Sequence, residues 1–191
     1  ANMVEGIPAV VVTFFPDASV QRTLTPCTDE LTVAGAGLSF THYSPAWSMP
    51  DLNTASLAEK KRFFLPATWM VFTIQNTNDT LRDFYFCLPV SVTQRTFANG
   101  AYEGFALGEA ALAVQTGSCE LLTGARLSSV FNGVTQGFAF HLNVPAGQTR
   151  SLMVVVAYYR SAVVDTRRGA HYYYTSLYPS IDSVIDSAFA G

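Results

Sequence analysis

The residues best suited to acid–base chemistry or metal binding, the three histidines, lie far apart in this sequence. They are His42, His141 and His171, and none has a cysteine, acidic residue or second histidine nearby at the spacing of a metal site. His42 and His141 occupy polar positions of predicted strands, where a hydrogen-bonded structural or surface histidine is the usual outcome. The histidines therefore predict no metal centre, and we expect no cofactor.

Carboxylates are the second group with catalytic potential, because glycoside hydrolysis uses two of them facing each other. The chain has 14 acidic residues, mostly in predicted turns. Asp182 and Asp186 share one face of a predicted helix, where exposure to solvent explains them. Glu103, Glu109 and Glu120 lie in a weakly patterned middle section. Their positions along the chain do not show which two carboxylates face each other. Motifs such as GxSxG, HExxH or a P-loop are missing as well, so we predict no catalytic residue.

The three cysteines, Cys27, Cys87 and Cys119, are too far apart for a zinc site and too few for a disulfide framework. Cys87 stands in an apolar run and is predicted to be a buried small side chain.

Aromatic side chains offer a different chemistry, because their faces stack on sugar rings. Trp47 lies between Pro45 and Pro50 in a segment predicted to be an extended loop. His171 lies beside two arginines and the Tyr172–Tyr174 run, a neighbourhood that is able to line a polar pocket. Packing of Trp47 in a core or interface, and of His171 in an aromatic cluster, are the competing interpretations.

The elements that must position these residues are mostly strands. Period-2 alternation and β-branched runs predict strands, with turn residues between them at short intervals. They are Ala9–Phe15, Ser19–Thr25, Leu38–Tyr43, Trp69–Gln75, Arg82–Leu88, Ala111–Gln115, Leu127–Phe131, Gly137–Val144 and Ser151–Tyr159. Turn residues join Trp69–Gln75 to Arg82–Leu88 and Gly137–Val144 to Ser151–Tyr159, and predict two hairpins. The pattern is typical of an all-β antiparallel sandwich.

One segment has helical rather than strand periodicity. Within Ser180–Ala190, apolar residues recur at the i, i+3, i+4, i+7 spacing of an amphipathic helix. We therefore predict a sandwich over residues 1–178 and a terminal or linker helix over 179–191, in one domain overall, as the 191-residue length also suggests.

Composition narrows the function. A net charge of −3 with 11 basic residues excludes a primary nucleic-acid partner. Apolar runs are too short to span a membrane, so no membrane partner is expected. The N-terminus has no pattern of a signal peptide, which favours the cytoplasm. Charged residues make up 13% of the chain, about half the usual 25% share. Charge this low implies that a large share of the surface is uncharged, or that it is covered by something missing from this chain.

Several blocks together resemble a known family. They are the runs at Leu38–Pro45, Leu65–Thr80, Val144–Gly147, Tyr158–Arg160, Tyr172–Thr175 and Ile181–Val184. In order and spacing they resemble the N-terminal β-sandwich of glycoside hydrolase family 52, the bacterial β-xylosidases. In that family a sandwich precedes an (α/α)6 barrel that holds both catalytic residues.

The resemblance implies that this chain is a non-catalytic sandwich whose main partner is a helical catalytic barrel of the same protein. A sandwich separated from that barrel is expected to expose a contiguous apolar patch near the C-terminal helix. It also implies contact between a loop of the sandwich and the barrel rim, so Trp47, Arg160 and His171 are predicted carbohydrate contacts. Two alternatives stay open: a free-standing carbohydrate-binding module, and a structural or assembly sandwich. Carbohydrate and a second copy of the chain in a homodimer are the corresponding partners.

Overall fold

The computed structural model describes residues 20–25, 28–33, 38–43, 50–89, 94–107, 110–159 and 177–190. These residues form eleven strands and three helices. The strands are β1 Val20–Leu24, β2 Thr28–Val33, β3 Leu38–Tyr43, β4 Ala67–Gln75, β5 Arg82–Pro89, β6 Gln94–Ala98, β7 Tyr102–Leu107, β8 Ala110–Gln115, β9 Glu120–Leu121, β10 Gly137–Val144 and β11 Thr149–Tyr158. The helices are α1 Leu57–Phe63, α2 Gly124–Val130 and α3 Ile181–Ala190. The predicted strand Ala9–Phe15 lies outside the described residues.

Two antiparallel sheets enclose the main core. The larger sheet has eight strands in the order β1-β2-β3-β4-β11-β8-β7-β6, and the smaller has the order β5-β10-β9. Aromatic rings from the two inner faces meet between them: Phe72 of β4 lies 4.7 Å from Phe86 of β5 and 5.0 Å from Phe140 of β10, centroid to centroid. All three side chains are buried. The predicted all-β sandwich is confirmed.

The two predicted hairpins are wrong, although their strands are present. β4 pairs with β3 and β11, whereas β5 pairs with β10, so each predicted hairpin has one strand in each sheet. Every second residue from Met70 to Ile74 in β4 and from Phe84 to Leu88 in β5 is buried in the shared core. This alternation suits strands that face each other across a sandwich as well as strands side by side in one sheet. The local pattern therefore found the strands without distinguishing these pairings.

Asn76 holds the two connections between the sheets next to each other. Its fully buried side chain donates from Nδ2 to the carbonyls of Thr80 and Val144, both at 2.8 Å, and accepts a hydrogen bond from the Asn78 N–H at 3.0 Å. Its own backbone N–H donates to the Gln148 carbonyl at 2.8 Å. The β4–β5 connection is thus tied to the β10–β11 connection at the point where both cross between sheets.

Helix α2 replaces the strand predicted at Leu127–Phe131. Leu127 and Phe131 lie one turn apart, joined by a 2.9 Å hydrogen bond from the Phe131 N–H to the Leu127 carbonyl. Both pack on the outer face of the small sheet, in a cluster with Cys87 and Ala139. Leu127, Val130 and Phe131 follow the i, i+3, i+4 spacing that places side chains on one face of a helix, and this face packs against the sheet. Cys87 is buried, as predicted, and burial raises its pKa to about 11.

Helix α3 matches the predicted C-terminal helix and packs on the outer face of the large sheet. Its buried residues are Val184, Ile185 and Ala188, which contact the side of β4, β8 and β11 that faces away from the main core. No helix among the described residues is long and apolar enough to cross a bilayer.

Candidate functional site

One cluster of titratable side chains forms on the outer face of the small sheet. His141 of β10 lies between two carboxylates: its Nδ1 is 2.8 Å from Glu120 Oε2, and its Nε2 is 2.9 Å from Asp83 Oδ1. The antiparallel register places His141 opposite Glu120 of β9 on one side and opposite Tyr85 of β5 on the other. Residues 21 and 58 positions away in the sequence thereby meet at one imidazole.

Further contacts hold this cluster in place. The Tyr85 ring stacks on the imidazole, with centroids 4.4 Å apart and planes 11° from parallel. The Asn143 amide donates to Asp83, and Arg126 of α2 places its Nε 3.5 Å from Glu120 Oε1. The hydrogen bond from His141, and secondarily the charge of Arg126, hold the pKa of Glu120 below its ordinary value of 4.5.

This cluster is a poor candidate for glycoside hydrolysis. The reaction needs a sugar between two carboxyl groups, one of them a proton donor with a raised pKa. Here the imidazole fills the space between the carboxylates, and the lowered pKa keeps Glu120 ionised. Among the described residues no group of three or more His, Cys, Asp or Glu is arranged to hold a metal ion. The cluster therefore ties three strands and α2 together.

A second candidate site is an apolar cleft of about 860 Å³ beside the C-terminal helix. Its walls come from α1, α3, the segments next to them, and the outer face of β3, β4 and β11. The lining residues are Tyr43, Ala58, Lys61, Arg62, Leu65, Trp69, Val71, Met153, Tyr178, Ser187, Ala188, Phe189 and Ala190. The cleft lies beside the C-terminal helix, where the family resemblance implies an apolar surface.

Helix α1 forms the basic wall of this cleft. A capping box begins the helix: the Glu59 N–H donates to Ser56 Oγ at 3.2 Å, and the Ser56 N–H donates to Glu59 Oε2 at 2.8 Å. The Ser56 hydroxyl also donates to Glu59 Oε2 at 2.7 Å, and this bond, followed by that of the Ser56 N–H to the same carboxylate, lowers the pKa of Glu59. The last turn carries Lys60, Lys61 and Arg62, where positive charge suits the helix dipole. Lys61 and Arg62 thus reach the cleft from a locally stable helix.

The opposite wall is held by hydrogen bonds between elements. The Trp69 indole N–H of β4 donates to the Ala188 carbonyl of α3 at 3.1 Å, satisfying one of the carbonyls left open at a helix end. The Tyr178 hydroxyl donates to the Lys61 carbonyl at 2.5 Å, and Lys61 Nζ lies 5.8 Å from the centre of the same ring. Burial raises the pKa of Tyr178. The walls are therefore connected directly to one another.

The predicted site residues Trp47, Arg160 and His171 lie outside the described residues, and their contact with carbohydrate stays a prediction. His42 is placed in β3, with Nε2 2.9 Å from Thr68 Oγ1. The cluster around His141 was missed because spacing along the chain does not show which strands are neighbours. Its local signal was the alternation of polar residues on β5 and β10, which marks one face of each strand.

The described structure defines a class of protein: an antiparallel β-sandwich with helices on its outer faces and an apolar cleft between two of them. The model of glycosyl hydrolase family 52 matches residues 2–191, and the chain belongs to this family. It is 28% identical over 193 residues to a β-xylosidase of Geobacillus stearothermophilus, an alignment that covers 93% of this chain. The chain spans 27% of the length of that relative. The predicted family resemblance is confirmed.

Proposed function

We propose that this chain is the non-catalytic β-sandwich domain of a family 52 glycoside hydrolase of the β-xylosidase type. Its role is to support a helical catalytic barrel formed by another part of the protein. The family match over residues 2–191, together with coverage of only 27% of the β-xylosidase, supports this division of labour.

The observation that carries the proposal is the arrangement of carboxylates at the polar cluster. The fold brings Asp83 and Glu120 to one site, yet each binds His141 rather than facing an open cavity. About half of each side chain is exposed, at 47% and 48%, so neither sits in the dry environment that raises the pKa of a general acid. The apolar cleft lacks carboxylates instead, since the described residues that line it include neither Asp nor Glu.

The test is an assay of the purified chain on 4-nitrophenyl β-xyloside, with folding checked by circular dichroism. We expect no turnover above that of buffer, and the same result for Asp83→Asn and Glu120→Gln. The product of the complete natural reading frame, assayed in parallel, is expected to hydrolyse the substrate. Turnover by the 191-residue chain that either substitution abolishes would overturn the proposal, as would a natural reading frame that ends at Gly191.

A further inference from the structure

We propose that the cleft between α1, α3 and the large sheet is the docking site for an apolar segment bearing a carboxylate, supplied by the rest of the family 52 protein. This inference rests on the proposed function and names the surface through which the sandwich is joined to its partner.

The first support is the exposure of large apolar side chains at the cleft. Tyr43 is 42% exposed and Met153 is 39% exposed, and both line it. Leu57, at the start of α1 and next to the lining residue Ala58, is 62% exposed. Burying such side chains against a partner removes apolar area from water at about 25 cal/mol per Å². A concentration of these residues around one concave surface is typical of an interaction site.

The second support is charge. Among the described residues of the lining, Lys61 and Arg62 carry charge and none is acidic. Lys61 Nζ lies over the Tyr178 ring at 5.8 Å from its centre, so the ammonium group is held at the apolar wall. A carboxylate on the incoming segment would pair with this cation in a partly desolvated place, where electrostatic complementarity selects the correct partner.

The same features argue against a sugar in this cleft. Sugar recognition needs several convergent polar groups beside an aromatic face, whereas most of these walls are apolar. The indole N–H of Trp69 already donates to the Ala188 carbonyl, which uses its one donor. An apolar protein segment needs no such donors from the walls.

The walls are also fixed independently of the occupant. Besides the Trp69 bond near its C-terminal end, α3 is joined to β7 near its start by the Tyr102 hydroxyl, which donates to Asp182 Oδ1 at 3.2 Å. The Tyr178 hydroxyl connects the segment before α3 to α1. A cleft with walls fixed in this way loses little conformational freedom on binding, which favours docking.

The test measures oxidation of Met153 by hydrogen peroxide, which adds one oxygen atom to the exposed thioether and is followed by peptide mass spectrometry. Met70, which is 2% exposed, is the internal reference for a buried methionine. The 191-residue chain is compared with the product of the complete natural reading frame. We expect Met153 to react about tenfold more slowly in the longer protein, because reaction there requires the site to open. Met70 should stay protected in both.

Charge variants test the stated chemistry of the occupant. In the longer protein, Lys61→Glu should restore much of the Met153 reactivity, and Lys60→Glu, on the same helix but outside the cleft lining, should not. If Lys61→Glu lowers the melting temperature of the 191-residue chain, Lys61→Met replaces it, since it keeps an apolar stem without the charge. Equal protection in all these variants would overturn the requirement for a carboxylate.

The outcomes separate this inference from the proposed function. A longer protein that hydrolyses the xyloside while Met153 reacts at the rate of the 191-residue chain would refute the docking site and leave the proposed function standing. Protection of Met153 already in the 191-residue chain would also refute the docking site. Protection that does not depend on protein concentration would mean that residues of the chain itself cover the cleft. Protection that increases with concentration would mean that a second copy of the chain covers it. A reading frame that ends at Gly191 overturns both proposals.

Discussion

Replacing Asn76 by alanine should destabilise the sandwich more than any exposed turn substitution, because this side chain joins both connections between the sheets. Alanine removes two hydrogen bonds to the Thr80 and Val144 carbonyls and one from the Asn78 N–H. The bond from the Asn76 backbone to Gln148 survives the change. The substitution therefore removes only the hydrogen bonds of the Asn76 side chain.

The magnitude follows from the number and burial of these bonds. A typical intramolecular hydrogen bond contributes about 1 kcal/mol net, so three give about 3 kcal/mol. The loss should be largest at the Val144 carbonyl. Val144 is fully buried, so a carbonyl left without a partner there has no access to water. For a domain of this size, about 3 kcal/mol corresponds to a fall of roughly 6–12 °C in the melting temperature.

The assay is urea and thermal unfolding followed by circular dichroism. Asn78→Ala is the matched control: it changes an exposed residue of the same turn whose contribution is through its backbone, and should cost less than about 0.5 kcal/mol. Asn76→Asp keeps the acceptor but places a carboxylate against two carbonyls, so it should destabilise at neutral pH at least as much as alanine. A loss below about 1 kcal/mol for Asn76→Ala would refute this account of the crossing.

Three further predictions follow from the packing and the polar cluster. The pKa of Glu120 is lowered from 4.5 in the folded protein, so its contribution to stability is complete above pH 4.5 and is lost as the pH falls through the lower, folded-state value. The difference in unfolding free energy between the native protein and Glu120→Gln should therefore shrink in acid. Gly104→Ala would place a Cβ 2.0 Å from the Leu112 carbonyl oxygen, a backbone clash that should cost about 3 kcal/mol or more in urea unfolding, and an unchanged midpoint would contradict the strand packing. Leu127→Ala should lower the free energy of unfolding by about 2–4 kcal/mol, and Ser129→Ala, on the exposed face of α2, by less than about 0.5 kcal/mol. Equal effects would contradict a helix that buries only one of its faces.

The strands themselves were predictable where alternation was strong. Leu38–Tyr43 was predicted with its observed bounds, and β4, β5, β10 and β11 to within two residues at each end. The C-terminal helix was predictable too, because apolar residues at helical spacing can bury one face only in that conformation. The strand prediction at Leu127–Phe131 was wrong because five residues are a short window for judging a period, although Leu127, Val130 and Phe131 follow the i, i+3, i+4 spacing of a helix.

The candidate sites show a sharper division. The sequence predicted the strand position of Trp69, yet no spacing rule joined it to Lys61 and Arg62, since these residues meet through α3 from the far end of the chain. The cluster at His141 likewise depends on β9 and β5 flanking β10.

By itself, the sequence determined the strongly alternating strands and the C-terminal helix, how few charges the chain carries, and the family to which the chain belongs. Only the tertiary structure decided which strands pair, which carboxylates reach the imidazole, and where two helices leave an apolar cleft. The physical reason is that periodicity is a property of neighbouring residues, whereas pairing and cavities depend on how distant segments close around a shared core.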